Sequence, residues 1–394
     1  MRITRILTIL FLIPLLLSAC APFLGNGDGT ASSFKGEAVI YVVSPRTGSQ
    51  AYGGDDVAGG AKLRAWEANN PGAGKAAGAA GYRLVVREAN DGADSDTAGE
   101  VAKKIAAALK SGDKIIGVVG NYNSGQTKAS LKTFQDAGAQ VVMVRPSSSN
   151  PQLKGDTFFR VCATDAEQGP ADARFLVQEK ASKSIVVLHT ENDYATGLRD
   201  EFNRELGRLG VKAAGVIQIK EGAPSFKEKL LQAKALNPDA IFLAADFPDG
   251  ETLLLDLQGM NWRPGIILLS DANFVFEVPD TAGKAAEGIY VSAISPDPRA
   301  VTTAEWAAAY RRVVKHDPGM DAVTGYQAAD VLIRGFEQAN GSFEAKSIAN
   351  AIRGLDYKSL VGRVKYDANG NLVEQRVYIF QVKDGDFVQV WPAK

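Results

Sequence analysis

Three loops carry the residues best suited to hold a small polar solute. The run Gly120-Asn121-Tyr122-Asn123-Ser124-Gly125-Gln126-Thr127 leads from an apolar stretch into an amphipathic one. Arg145-Pro146-Ser147-Ser148-Ser149-Asn150-Pro151 follows a second apolar stretch. Ser44-Pro45-Arg46-Thr47-Gly48 follows a third and leads on to Tyr52-Gly53-Gly54. A helix that begins near Ser124 exposes unpaired N–H groups and the positive end of its dipole. With the hydroxyls of Ser124 and Ser149 they would make a neutral donor cradle for a carboxylate. Serines at such places also serve simply as helix caps and turn formers. Further along, Asp246 and Asp271 follow the apolar runs 241–243 and 266–269 and supply the negative charge that an amine needs. Donors on one side and carboxylates on the other suit a zwitterion, an α-amino acid above all. Arg145 beside the serine loop either adds a cation for a second carboxylate, leaving room for a polar or acidic side chain, or points into a surface ion pair.

Reactive chemistry is harder to find. No G-x-S-x-G, H-E-x-x-H, C-x-x-C or G-x-x-x-x-G-K-[ST] motif occurs, and 117–125 lacks the G-x-G-x-x-G spacing. Asp91, Asp94 and Asp96 lack calcium-loop spacing. The two histidines are His189 and His316. His189 sits near a strand end, where it either touches ligand or is a satisfied structural residue. His316 falls at a helix end, where the dipole favours a cation. Cys162 is expected to be a buried free thiol. No catalytic group, metal site or cofactor is expected, so the chain reads as a binder and not an enzyme.

The positioning elements follow from periodicity. Runs 39–43, 84–86, 115–119 and 141–144 are apolar throughout instead of alternating, as for parallel strands covered on both faces. Between them lie helical stripes such as Val101, Ile105 and Leu109. The rhythm restarts after 167 with runs 185–188, 241–243 and 266–269, and the stripe Leu198, Phe202, Leu206 and Leu209. Ser225 with Glu228, and Thr302 with Glu305, read as helix-capping pairs. The end is β-rich, with 362–366, 377–382 and 387–390 around tight turns. The fold class is α/β: two doubly wound, mostly parallel sheets, each covered by helices. Open sheets of this kind bind ligands outside the carboxyl ends of their strands, where the loops above fall.

The 394 residues carry 44 basic and 45 acidic side chains. No basic stripe appears, so nucleic acid is not an expected partner. Arg2 and Arg5 precede an apolar stretch, 6–17, too short to span a bilayer with confidence. Leu17-Ser18-Ala19-Cys20 resembles a bacterial lipobox. That likeness implies a signal peptide over 1–19, cleavage before Cys20, and a lipid on its thiol that anchors the protein to a bilayer. An ordinary secretory signal with an incidental cysteine is the alternative. Residues 20–35, rich in Gly, Ser, Asn and Asp, read as a tether.

Taken in order, these motifs resemble the type I periplasmic binding proteins of the leucine/isoleucine/valine-binding group. The likeness covers about 36–390. It rests on Val42-Val43-Ser44-Pro45-Arg46-Thr47-Gly48, on Tyr52-Gly53 with Gly59-Gly60-Ala61, and on Gly117-Val118-Val119-Gly120 with Ser124. It continues through Pro146-Ser147-Ser148-Ser149-Asn150-Pro151, Asp193-Tyr194-Ala195-Thr196-Gly197, Tyr326-Gln327-Ala328 and the glycine-bounded ending 362–370. The resemblance implies two lobes joined by three crossovers, with lobe one at 36–163 and 293–357 and lobe two at 167–290 and 366–394. It implies that Tyr52 walls the pocket, that Ser124 and Ser149 hold a carboxylate, and that the Ser147 carbonyl takes an ammonium. Tyr194 would close from lobe two, with Asp246, Phe247 and Asp271 near the amine or side chain. Arg145 and Asp246 depart from the family pattern, which commonly has a small or apolar residue and an aromatic there. The implied role is an extracytoplasmic, lipid-anchored solute-binding protein of the cell envelope that delivers an amino acid, or a similar small polar ligand, to an ABC permease. A regulatory or sensor lipoprotein that contacts an envelope protein is the other role such a fold allows.

Overall fold

The computed structural model describes residues 34–392. The leader 1–19, Cys20 and the tether up to Ser33 lie outside the described residues. Strand β1 (Glu37–Ser44) shows why an unbroken apolar run is needed. Side chains alternate across a strand: Ala38, Ile40 and Val42 enter one core, while Val39 and Val43 enter another on the opposite face. The first half continues with α1 (Ala51–Asn69), β2 (Arg83–Asn90), α2 (Ser95–Lys110), β3 (Ile115–Gly120), α3 (Ser124–Asp136), β4 (Met143–Arg145) and β5 (Phe158–Arg160). These five strands form one parallel sheet in the order β2-β1-β3-β4-β5.

The second block contains α4 (Asp165–Arg174), β6 (Ile185–His189), α5 (Asp193–Arg208), β7 (Gly215–Gln218), α6 (Lys227–Ala235) and β8 (Ala240–Ala244). It goes on through α7 (Asp249–Gly259), β9 (Ile266–Leu269), α8 (Glu277–Ala282) and β10 (Tyr290–Ala293). The remaining elements are α9 (Pro298–Val301), α10 (Ala304–Val314), α11 (Ala322–Gln338), α12 (Ala345–Arg353), β11 (Asp356–Ser359), β12 (Gly362–Lys365), β13 (Tyr378–Lys383) and β14 (Asp386–Trp391). The larger sheet runs β14-β13-β10-β9-β8-β6-β7, parallel from β7 to β10 and antiparallel at β13 and β14. Here Val186 and Leu188 face one core and Ile185 and Val187 the other. Strands β11 and β12 pair only with each other.

Two helix starts differ from expectation. Thr303, not Thr302, caps α10, accepting from the Trp306 N–H at 3.2 Å. Ser225 donates to Asp256 at 2.9 Å, and Glu228 is drawn to Gln232, so no reciprocal box closes the start of α6. Tertiary partners outcompete the local bond there.

The chain passes between the lobes three times, and the passages are packed together. Cys162 and Ala163 from the first, Ile294 from the second and Val377 from the third share one small apolar cluster. The Ala163 N–H donates to the Ile294 carbonyl at 3.0 Å, and the Thr164 N–H donates to Gln375 Oε1 at 2.7 Å. Cys162 is a buried free thiol, and burial pushes it up to about 12. We propose lobe limits slightly later than the expected 290 and 366. Tyr290–Ala293 completes β10 in the larger sheet, and Tyr366 and Leu372 pack with α11 in the core of the smaller one.

Candidate ligand-binding cleft

A small cavity lies between the lobes. Its first wall comes from the lobe of the smaller sheet: Tyr122, Ser124, Ser147, Ser148 and Ser149. The second lobe faces it with Tyr194, Asp246 and Asp271. The cavity thus unites six of the expected site residues: Ser124, Ser147, Ser149, Tyr194, Asp246 and Asp271. All stand at or just beyond the carboxyl ends of parallel strands.

The donor side is built from two adjacent pieces. Ser124 opens α3, and no side chain caps that end, because Asn123 turns away to donate to Gln50 Oε1 at 2.7 Å. Ser148 Oγ reaches Ser124 Oγ at 3.4 Å, and the Asn150 N–H reaches the same oxygen at 3.3 Å. Ser147 Oγ donates to the Tyr122 carbonyl at 2.9 Å. Ser149 is buried and faces the buried Asp165 carboxylate; burial raises that carboxyl to about 7, while the Ser149 hydroxyl pulls the other way. The hydroxyl also lines the cavity, so a ligand carboxylate would compete with Asp165 for it.

Arg145 corrects the expectation set by its sequence position. It neither lines the cavity nor makes a surface pair; it is fully buried behind the serine loop. It lies opposite Arg160 in the β4–β5 register, and its guanidinium stacks 3.6 Å from the centre of the Phe158 ring. It donates to the carbonyls of Ser148 and Leu153 at 3.3 and 3.4 Å. Arg160 donates to the carbonyls of Ser149, Asn150 and Leu153 at 2.8, 3.1 and 3.3 Å. Burial, and for Arg145 the neighbouring Arg160, lower both guanidinium pKa values. Two arginines therefore hold the carbonyls of this loop away from the cavity.

Tyr52 and Phe247 also stand elsewhere. Neither lines the central cavity. Tyr52, in the first turn of α1, packs edge to face on Phe247 with ring centres 5.2 Å apart. The pair joins one lobe to the other beside the ligand space. His189 is likewise structural, its Nδ1 lying 2.8 Å from the Thr190 carbonyl, outside that space.

The acceptor side is richer than the sequence suggested. Asp246 accepts from Asn192 Nδ2 at 2.8 Å, and Asp271 accepts from the Tyr194 hydroxyl. A third carboxylate, Asp321, lines the same cavity and accepts from the Tyr122 hydroxyl at 2.7 Å. Standing at the start of α11, it reads in sequence as a plain helix cap, but its side chain caps nothing. Burial raises all three, Asp246 and Asp321 to about 7 and Asp271 to about 6. Among the described residues, no lysine, arginine or histidine lines the cavity to offset them.

Further contacts hold the lobes together across the cleft. Asn150 Nδ2 donates to the Asp193 carbonyl, and Lys128 Nζ pairs with the Asp193 carboxylate, both at 2.8 Å.

A ligand cavity enclosed by two α/β lobes that share a three-stranded hinge defines a two-lobed binding protein. The chain belongs to the periplasmic binding protein family, whose sequence model matches residues 39–386, and within it to the type I leucine/isoleucine/valine group. It is 24% identical to the amino acid binding protein of Pseudomonas aeruginosa over 90% of this chain and 93% of that one. The Leu/Ile/Val-binding protein BraC3 of Rhizobium johnstonii is 28% identical over 89% of this chain and 92% of its own. Among solved structures, the leucine-binding protein LivK of Thermotoga maritima superposes with a TM-score of 0.79 at 25% identity, covering 90% of this chain and 97% of that one. These relatives are binding proteins and not enzymes, and the family is extracytoplasmic. Among the described residues, no helix is long and apolar enough to cross a membrane.

Proposed function

We propose that this protein is a lipid-anchored, extracytoplasmic solute-binding protein that closes its two lobes around an α-amino acid and presents it to an ABC permease. One observation carries the reading: the central interlobe cavity sets serine hydroxyls and the start of α3 against three carboxylates. The end of α3, Ser124 and Ser149 hold the carboxylate of the ligand. The Ser147 carbonyl, with Asp246 and Asp271, receives its ammonium, and Tyr194 closes over it from the second lobe. Tyr52 and Phe247 contribute by joining the lobes, and Arg145 by fixing the serine loop. The names of the relatives support the amino-acid class, since they are amino-acid and Leu/Ile/Val-binding proteins.

Closure follows because the ligand touches both lobes, and only differential contact can shift an open–closed balance. A thermal-shift screen of amino acids, amides and aromatic acids tests the reading, because tight binding raises the melting temperature by mass action. Stabilisation confined to compounds without an amine would rule out the amino-acid assignment. Scattering at saturating ligand should show a more compact particle, and unchanged dimensions would rule out closure.

A further inference from the structure

The proposed function leaves the side chain of the ligand open, and the charge around the cleft speaks to it. A zwitterion brings one ammonium. The central cavity already holds three carboxylates, Asp246, Asp271 and Asp321, whose hydrogen bonds come from the neutral donors Asn192, Tyr194 and Tyr122. A second, larger interlobe space shares Asn123, Tyr194 and Asp246 with the first. It adds Asp94, Glu191, Asp193, Asp200 and Glu221, and no basic residue among the described residues lines it. Asp193 pairs with Lys128 and Asp200 with Arg199, which leaves Asp94, Glu191 and Glu221 without a cation partner among the described residues. Asn192 bridges the two spaces, since its Nδ2 donates to Asp246 at 2.8 Å and to Glu221 at 3.1 Å. Carboxylates therefore line the cleft from both lobes, Asp94 and Asp321 on the first and Glu191, Glu221, Asp246 and Asp271 on the second. Ser149 lines the central cavity from the first lobe, beside Asn150 of the second space.

We infer that the ligand is an α-amino acid whose side chain ends in a cationic nitrogen, with its head in the central cavity and its side chain passing Asp246 toward Glu221. An uncompensated set of buried carboxylates is unfavourable, and a second cation relieves it where an aliphatic side chain cannot. Burial raises the three aspartates, Asp246 and Asp321 to about 7 and Asp271 to about 6, so the set retains protons at pH 7 in the absence of a cation. A dicationic ligand must then ionise them and expel protons to solvent.

The inference rests on the amino-acid reading, and calorimetry on the ligand-free mature protein separates the two. Lysine, ornithine and arginine are titrated against norleucine, leucine and glutamate at pH 7, and against putrescine, in two buffers of different ionisation enthalpy. The expected result is that a basic amino acid binds about tenfold or more tightly than norleucine, with net proton release. Glu221→Gln, at an exposed position, should lower the preference for the basic ligand over norleucine about two- to fivefold. Norleucine or glutamate binding as tightly as lysine, or Glu221→Gln affecting lysine and norleucine equally, would overturn the inference while the amino-acid reading stands. Putrescine binding as tightly as lysine, or no amino acid binding at all, would overturn both.

Discussion

Asp246 ties the proposed closure to pH. In the closed cleft this carboxyl is raised from 3.8 to about 7, first by burial and then by Glu221, while its bond from Asn192 pulls the other way. Asp271 and Asp249 add to the rise. With the lobes apart, water reaches the group and its usual value returns. A carboxyl with a higher pKa closed than open prefers to be protonated when closed. Asp246 therefore leaves closure unhindered at pH values below 3.8, costs more as pH climbs from there, and reaches its full cost above about 7. The full cost is about 4 kcal/mol, falling by about 1.4 kcal/mol for each pH unit below 7. Small-angle scattering on the ligand-free protein between pH 5 and 8 reads this balance directly. The radius of gyration should shrink as pH falls, and Asp246→Asn should be more compact than the native protein at pH 8, with a flatter pH profile. Expansion on acidification, or identical profiles for the two proteins, would refute the reasoning.

Other perturbations report on other parts of the site. Ser149→Ala removes a donor to a charged group and should cost roughly 1.5–3 kcal/mol, or about one to two decades in amino-acid affinity by calorimetry; an unchanged affinity would remove Ser149 from the site. Arg160→Met strands carbonyls that accept from its guanidinium, and should lower stability by about 2–4 kcal/mol in denaturant titrations while weakening ligand binding. Normal affinity in a folded Arg160→Met protein would show that the serine loop holds its shape unaided. Cys20→Ala should abolish lipid labelling and leave the protein soluble or unprocessed, and persistent membrane attachment with labelling would exclude the lipid anchor.

Much of the architecture was legible because it depends on local pattern. Apolar runs such as 185–188 are needed wherever a strand is covered on both faces, and β6 feeds two separate cores. The rule that ligands meet parallel strands at their carboxyl ends brought Ser124, Ser149, Asp246 and Asp271 into view from their positions alone. Arg145 could have been assigned by alternation: Val144 faces one core, Met143 and Phe158 the other, and Arg145 shares the side of Met143. Tyr52 and Phe247 could not. Each follows a strand end closely enough to reach a ligand, and only the approach of the lobes turns the two rings onto each other.

Asp321 marks the limit most clearly. In sequence it is an aspartate before a helix, indistinguishable from an ordinary cap. Its partner, Tyr122, lies 199 residues away in the chain. Residue types and spacing by themselves determined the strands, the helices and the chemistry waiting at their ends. Which of those ends share one cavity, and therefore how many carboxylates a ligand must satisfy, was decided by the tertiary structure, because that count depends on three crossings of the chain between lobes and on no local interaction.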